Sequence, residues 1–516
     1  MRHVTALEAY CSNQLLSLHR LPHSDFSAAL ETTRKVDHSA LSKAVLEYSQ
    51  SLGAPKAVLE NAKLLAHPES LTVMSGQQAG LLLGASYTIS KAVDAVLLAR
   101  RYSTPERPVL PIFWVASQDH DSEEVRHAFF LDLSEVEHQI SLDLPKNSSI
   151  GAIPLLPQYL ETILQHLSAF DAPEVFKTPI LEMLQKTFAA STNYAEWFSR
   201  ILMHLLGKYG LIIVDPLFPS IAALFAEGIR HELESPLLSS AAIERAATQL
   251  EALGLTAQLR RGEQATNLFL TGLDGQRRLL KFNGQHFTAD RSYPKSELLS
   301  ILETDPRRLT PAAGLRSILA DAVFPSVVNV LGPGELAYHL QLLEVYQLHG
   351  VPQPLMSPRL SLTIIEPPVK RILEKYGLTA RAFQQDRGEQ LRNQLFETHA
   401  AKTRISDTLL SLTLQINELS TDLVNFESGF AKSVERSKAA IAYQLEHKLP
   451  KKLQAALLRA DTDLQSQLLR LEKHLLPDGI PQERHNSFLE YLLKFGFVAL
   501  DKVFSLEPSQ TQDLEI

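Results

Sequence analysis

A chain of 516 residues is too long for one hydrophobic core and points to two to four units. Its 45% hydrophobic and 21% charged residues exclude a disordered, collagenous or disulfide-scaffold class, and a formal charge of -8 supplies no general basic surface for nucleic acid. One cysteine, Cys11, rules out a disulfide framework or a thiolate metal cage within a single chain.

The amino terminus, MRHVTALEAYCSNQLL, places charged and polar residues where a signal peptide needs an apolar run. No later stretch stays apolar long enough to span a bilayer. The expectation is a cytoplasmic protein with no membrane and no nucleic-acid partner.

Short apolar runs then alternate with helical patterns, the arrangement of parallel βαβ units in an α/β fold. Strands are expected at LTVM from Leu71, VLPIFWVAS from Val109, LIIVD from Leu211 and VVNVLG from Val327. Each ends in a polar or glycine-containing loop, where open α/β sheets bind ligands. After the first strand, MSGQQAGLLLGASYTISKAVDAV (Met74 to Val96) reads as a turn and then a helix. At about 100° per residue, Gly80, Gly84, Tyr87 and Lys91 share one stripe of that helix, opposite Leu82, Ile89, Val93 and Val96. NLFLTGLDGQRRLLKF reads as a hairpin turning on Asp274 and Gly275, inside an insertion over residues 235–310. MSPRLSLTIIE alternates Ser357, Arg359, Ser361 and Thr363 against Pro358, Leu360, Leu362 and Ile364, one polar face and one buried.

From Ile405 the apolar positions Ile405, Leu409, Leu412, Ile416, Leu419, Leu423, Phe426 and Phe430 alternate in steps of four and three, a coiled-coil seam. After a break expected at Pro450, a second run follows through Leu453, Leu457, Leu464, Leu468, Leu471 and Leu475. The two runs are expected to fold back as an antiparallel arm. The tail NSFLEYLLKFGFVALDKVF is helical again and returns to the main body.

Several clusters could carry chemistry. Ser75, Gly76, Gln77 and Gln78 form the expected strand-to-helix turn, whose free N–H groups suit a phosphate or carboxylate, although GxGxxG and GxxxxGK[ST] are absent. Two glycines in one helix cost about 1 kcal/mol each. Close packing or a ligand against the backbone would offset this, and Tyr87 with Lys91 on the same stripe favours the ligand. WVASQDHDSEEVRH brings Asp119, His120 and Asp121 to a strand end, residue types that ligate metals or exchange protons near neutral pH. No metal is demanded, because three adjacent residues rarely converge on one ion, and Asp121 with Glu124 also fits a capping box. NVLGPGELAYHLQL repeats the strand, turn and helix logic with Gly332, Gly334, Glu335 and Tyr338, Glu335 being placed to complement the helix dipole. Arg359 could clamp a carboxylate or phosphate in two hydrogen bonds, or be an ordinary surface arginine.

Together, SGQQAGLLLGASYTISKA, PIFWVASQDHDSEEVRH, NVLGPGELAYHLQL, MSPRLSLTIIE and LLPDGIPQER resemble, in this order, the bacillithiol biosynthesis cysteine-adding enzymes, cysteine ligases of the BshC type. The resemblance implies a Rossmann-like parallel-sheet core over residues 1–375, a long antiparallel α-helical coiled-coil arm over 376–485, and a segment 486–516 returning to the core. It implies amide formation between cysteine and the amine of glucosaminyl-malate. ATP, with or without Mg2+, would activate cysteine as an adenylate, with no tightly bound cofactor. A homodimer through the arm and the C-terminal segment is also implied. On this mapping Ser75 to Gln78 and Lys91 would hold phosphate or carboxylate, Asp119 and His120 would orient the amine or accept its proton, and Arg359 would meet malate. The chain departs from the family in having Gln118 where glutamate is common, and Ala312 and Ala313 where an asparagine is expected before Arg316. Two readings from other classes compete: a non-catalytic dimeric coiled-coil binding protein, and a metal-dependent hydrolase built on Asp119 to Asp121.

Overall fold

The computed structural model describes residues 4–397 and 400–516. The chain divides into two units, Met1–Leu362 with Glu483–Leu514 and Thr363–Gln482 with Glu515–Ile516. Among the described residues, no helix is long and apolar enough to cross a membrane.

The first unit is organised by β1 (Leu71–Gln77), β2 (Val109–Val115), β3 (Ile212–Val214), β4 (Ser326–Leu331) and β5 (Leu355–Pro358), all parallel, in the order β5-β4-β1-β2-β3. Every residue of β2, β3 and β4 is buried, the continuous apolar signature of strands covered on both faces. This is why all four expected strands are present. The helix α1 (Tyr87–Tyr102) follows β1 and packs Ala95, Leu98 and Ala99 with Val73, Val109, Val328 and Val330. Two further helices flank β4: α2 (Ala313–Val323) before it and α3 (Pro333–His339) after it. Because β2 and β3 lie on one side of β1 while β4 and β5 lie on the other, the sheet reverses between β1 and β4. Ligands in such sheets bind at that point, beyond the carboxyl ends of the strands.

The stretch after β1 departs from expectation. Ser75–Gln77 remain in the strand, paired with Phe113–Val115, so Ser75 to Gln78 do not open a helix. Leu81–Leu83 form one 3-10 turn, and α1 starts only at Tyr87. Gly80 and Gly84 therefore precede the helix. Gly84 has φ 61° and ψ -151°, a region essentially closed to side-chain-bearing residues. A Cβ on Gly80 would come within 2.9 Å of Gly84 Cα, so the two glycines make room for each other rather than for a ligand or a second helix. The turn also holds Leu82 and Leu83 at φ 49° and 72°. Residues from late in the chain fasten it: Ser487 Oγ donates to Leu82 O at 2.8 Å, and Ser86 N and Oγ donate to Asn486 O at 2.8 and 2.6 Å. Gly84→Ala is expected to lower unfolding free energy by about 1–3 kcal/mol, readable by urea denaturation.

MSPRLSLTIIE is not one strand. It breaks at Arg359 into β5 and Ser361–Ile365, and Ser357 and Arg359 on its polar face are buried along with Leu360 and Leu362. The hairpin is as expected: Ala265–Thr271 and Arg277–Phe282 pair antiparallel across the Asp274–Gly275 turn, with Gly275 at φ 76°. They belong to a five-stranded sheet with Leu309–Pro311, Phe287–Thr288 and Ser292–Tyr293. Helices Leu489–Phe495 and Val498–Val503 also fall in the first unit.

The second unit is helical, with long elements α4 (Ala400–Phe426), α5 (Phe430–Tyr443), α6 (Leu449–Ala460) and α7 (Thr462–Leu475). The break expected at Pro450 falls instead at residues 427–429. Pro450 does not break the chain: a π-helical turn over Gln444–Lys448 immediately before it carries α5 into α6, so the proline sits within one continuous helical course. Lys438 Nζ donates to Asn417 Oδ1 at 3.0 Å and Gln454 Nε2 to Asn393 Oδ1 at 2.9 Å. Leu464, Leu468, Leu471 and Leu475 form a core with Ile372, Leu373 and Phe383. Leu419 and Phe426 of the seam are exposed in the single chain.

Candidate functional site

A cavity of about 360 Å³ lies at the reversal point of the sheet, within the size range of small-molecule sites. Its wall joins Ser75, Gly76, Gln77 and Gln78 at the end of β1, Tyr87 and Lys91 of α1, Asp119 beyond β2, Gly332, Gly334, Glu335 and Tyr338 around α3, and Arg359 after β5. Gly84, His120 and Asp121 are not among the lining residues. Trp114, Glu124, Arg316 and Arg484 are, and none of them was singled out for chemistry from the sequence.

Lys91 is the most buried charge in the wall, 1% exposed. Its Nζ donates to Gly76 O and Gln77 Oε1, both at 2.9 Å, and pairs with Glu335 Oε2 at 2.5 Å. Burial depresses its pKa and Glu335 works against that. Burial would raise Glu335 in turn, but Lys91 and the Gly332 N–H, which donates to Oε2 at 2.8 Å, hold it below the ordinary carboxylate value. All three donors of the ammonium are committed, so Lys91 ties β1 to α3 instead of offering itself to an anion. Gly76 is required there too, since a Cβ would sit 2.7 Å from Trp114 O.

The Asp-His-Asp run does not converge. Asp119 Oδ2 accepts from Arg316 Nη1 at 3.1 Å and Gln78 Nε2 at 3.3 Å. Against the effect of burial, Arg316 and Arg277 keep its pKa low. His120 turns to the hairpin, where its Nδ1 accepts from Arg277 Nη1 at 2.9 Å, leaving Nε2 to carry the hydrogen. Burial and Arg277 lower its pKa, so it is a neutral ring without a spare lone pair and not the free proton acceptor expected. Arg277 also donates to Thr310 Oγ1 at 3.0 Å and Pro311 O at 3.1 Å. Asp121 is exposed and caps the helix Ser122–Val125, accepting from Glu124 N at 3.4 Å. Among the described residues no group of three His, Cys, Asp or Glu side chains could hold a metal ion.

Arg359 is likewise not free to clamp a substrate. Its Nη1 and Nη2 donate to the two carboxylate oxygens of Glu483 at 2.7 and 2.6 Å. Glu483 also accepts from Ser361 Oγ and Leu362 N, both at 2.9 Å. With Nη1 and Nη2 so engaged, Nε of Arg359 remains for the pocket. Gln118 is buried off the wall, and Ala312 starts α2 without a side-chain cap while Arg316, one turn on, reaches Asp119.

Deeper in the wall several buried polar atoms lack a hydrogen-bond partner: Trp114 Nε1, Gln78 Oε1, Asn329 Oδ1 and His339 Nδ1. Buried polar atoms are seldom left unpaired, and a lining of this kind suits a ligand with both donors and acceptors. His339 Nε2 lies 3.2 Å from Ser317 Oγ, and burial drives its pKa down to about 4. The folded chain thus holds this proton less tightly than the unfolded chain. The stabilisation is complete above pH 6.5 and is lost as pH falls toward 4. Comparing wild type with His339→Gln by urea denaturation across that window should show a wild-type loss larger by about 3 kcal/mol.

A parallel sheet with a polar pocket at its reversal point defines a Rossmann-like small-molecule site. Residues 12–360 match the family described as bacillithiol biosynthesis BshC, N-terminal Rossmann-like domain, and residues 362–516 match its C-terminal coiled-coil domain. The chain belongs to the bacillithiol biosynthesis BshC family. It is 38% identical over 492 residues to "Putative cysteine ligase BshC" of Thermus thermophilus, covering 95% of this chain and 96% of that protein. A relative of the same name from Salinibacter ruber is 29% identical over 92% of this chain and 88% of its own length.

Proposed function

We propose that this chain is a carbon–nitrogen ligase that joins the carboxyl group of cysteine to the amine of glucosaminyl-malate, with ATP activating the carboxyl as an adenylate. The observation that carries this reading is the family match over both units, including the pocket wall from Ser75 to Arg359. It supports the ligase over the binding-protein and hydrolase readings. The donors left uncommitted suit anions: Arg484 at the rim, Arg359 Nε and the buried Trp114 Nε1 would meet phosphate or malate oxygens. Acceptors gathered at Asp119 suit the amine. In this reading the second unit is an antiparallel arm through which a cytoplasmic homodimer forms, its exposed Leu419 and Phe426 covered by the second copy.

The test is to incubate the purified protein with cysteine, glucosaminyl-malate and ATP and to look for bacillithiol by mass. Product that needs all three is expected. Product formed without ATP would remove the adenylate step, and no product from the complete mixture would remove the ligase.

A further inference from the structure

Four carboxylates line the pocket: Asp119, Glu124, Asp321 and Glu335. Two are held by cations, Asp119 by Arg316 and Glu335 by Lys91 with Gly332 N, while Asp321 Oδ2 accepts from Asn329 Nδ2 at 2.9 Å and Tyr346 OH at 2.6 Å and its Oδ1 is buried without a partner, away from the Asp119 and Gln78 group. Glu124 differs. Its backbone N–H completes half of a capping box with Asp121, but its carboxyl does not turn back to close the box. The carboxyl lines the pocket instead, near Gln78, whose amide favours its ionised form. The same Gln78 donates to Asp119 Oδ2, and its own Oε1 is buried without a partner. Asp119, Glu124 and Gln78 Oε1 thus form a group of acceptors around one amide, the complement of a hydrogen-bond donor with several hydrogens.

We propose that this group is the amine subsite and that Glu124 is the catalytic base that takes the proton from the attacking nitrogen. The inference rests on the ligase reading above. An amine that enters as an ammonium ion has no lone pair until it loses a proton. Asp119 is too strongly stabilised as a carboxylate by Arg316, and the His120 lone pair is bound by Arg277. Burial and the neighbouring Asp121 and Asp119 charges raise the pKa of Glu124, which suits a proton acceptor. In the step, one proton passes from nitrogen to Glu124. The freed lone pair attacks the cysteinyl carbonyl carbon, the C–N bond forms and the C–O bond to the adenylate phosphate breaks. The second nitrogen proton leaves with that phosphate, and Glu124 at the rim releases its proton to solvent.

The experiment compares the full-length chain with Glu124→Gln in the presence of cysteine, ATP and either glucosaminyl-malate or hydroxylamine, a nucleophile already unprotonated at neutral pH. With glucosaminyl-malate, kcat should fall about 10²- to 10⁴-fold with little change in KM for the amine, and the acid limb of the kcat profile should disappear. Glu124→Asp should recover part of the rate. With hydroxylamine the glutamine variant should match wild type. An unchanged kcat, or an equal loss with hydroxylamine, would overturn the role of Glu124 alone. A wild-type chain that forms no amide would overturn the ligase reading and this inference with it.

Discussion

Replacing Lys91 by methionine should cost about 3 kcal/mol of unfolding free energy, at the lower end of what breaking a buried ion pair costs. The methylene stem is replaced almost atom for atom, so the loss isolates the ammonium. Without it, Gly76 O and Gln77 Oε1 lose their shared donor and Glu335 keeps only the Gly332 N–H. Glu335 is 31% exposed at its side chain and can draw in water, which is why the upper end of the range is not reached. The double variant Lys91→Met, Glu335→Met should regain part of the loss, because an apolar pair replaces the ionic one. Urea denaturation of the three proteins measures both effects. A single-variant loss under about 1 kcal/mol would mean that the pair behaves as a surface contact.

Glu483→Ala should cost more, about 3–5 kcal/mol, because here both partners are enclosed: the Arg359 and Glu483 side chains are only 6% and 10% exposed. Truncation leaves a buried guanidinium and removes the acceptor of Ser361 Oγ and Leu362 N. Glu483→Gln keeps one carbonyl oxygen and should lose about 1–2 kcal/mol. Adding Arg359→Met to Glu483→Ala should restore part of the stability, Ser361 Oγ and Leu362 N still lacking their acceptor, while removing the Arg359 Nε from the pocket. The same denaturation series, run beside a titration with ATP followed by tryptophan fluorescence, to which Trp114 of the pocket wall contributes with Trp197, separates the fold contribution from any ligand contribution.

The strands of the central sheet were legible because burial on both faces leaves a continuous apolar run, and their loops led directly to the pocket. The Gly80, Gly84, Tyr87, Lys91 stripe was not what its spacing suggested. A 3.6-residue period cannot show that two positive-φ leucines and Gly84 interrupt the chain before Tyr87, so Tyr87 and Lys91 reach the pocket from a helix that starts later. Glu124 was obscured by a capping pattern that only half forms. Arg277 and Glu483 were invisible for a different reason: their partners His120 and Arg359 lie 157 and 124 positions away in the chain. Spacing within a motif cannot report such pairings, and they settle which candidates are free for a ligand.

Residues 483 to 487 supply Arg484 to the pocket wall, Glu483 to hold Arg359 in it, and Asn486 and Ser487 to fasten the turn that follows β1. During synthesis the sheet strands all emerge before the long helices, yet the pocket stays open on one side until those helices have been made. A chain halted between residues 358 and 483 therefore has its parallel strands complete and its site unfinished. Completion of this pocket wall is thus tied to nearly full-length translation.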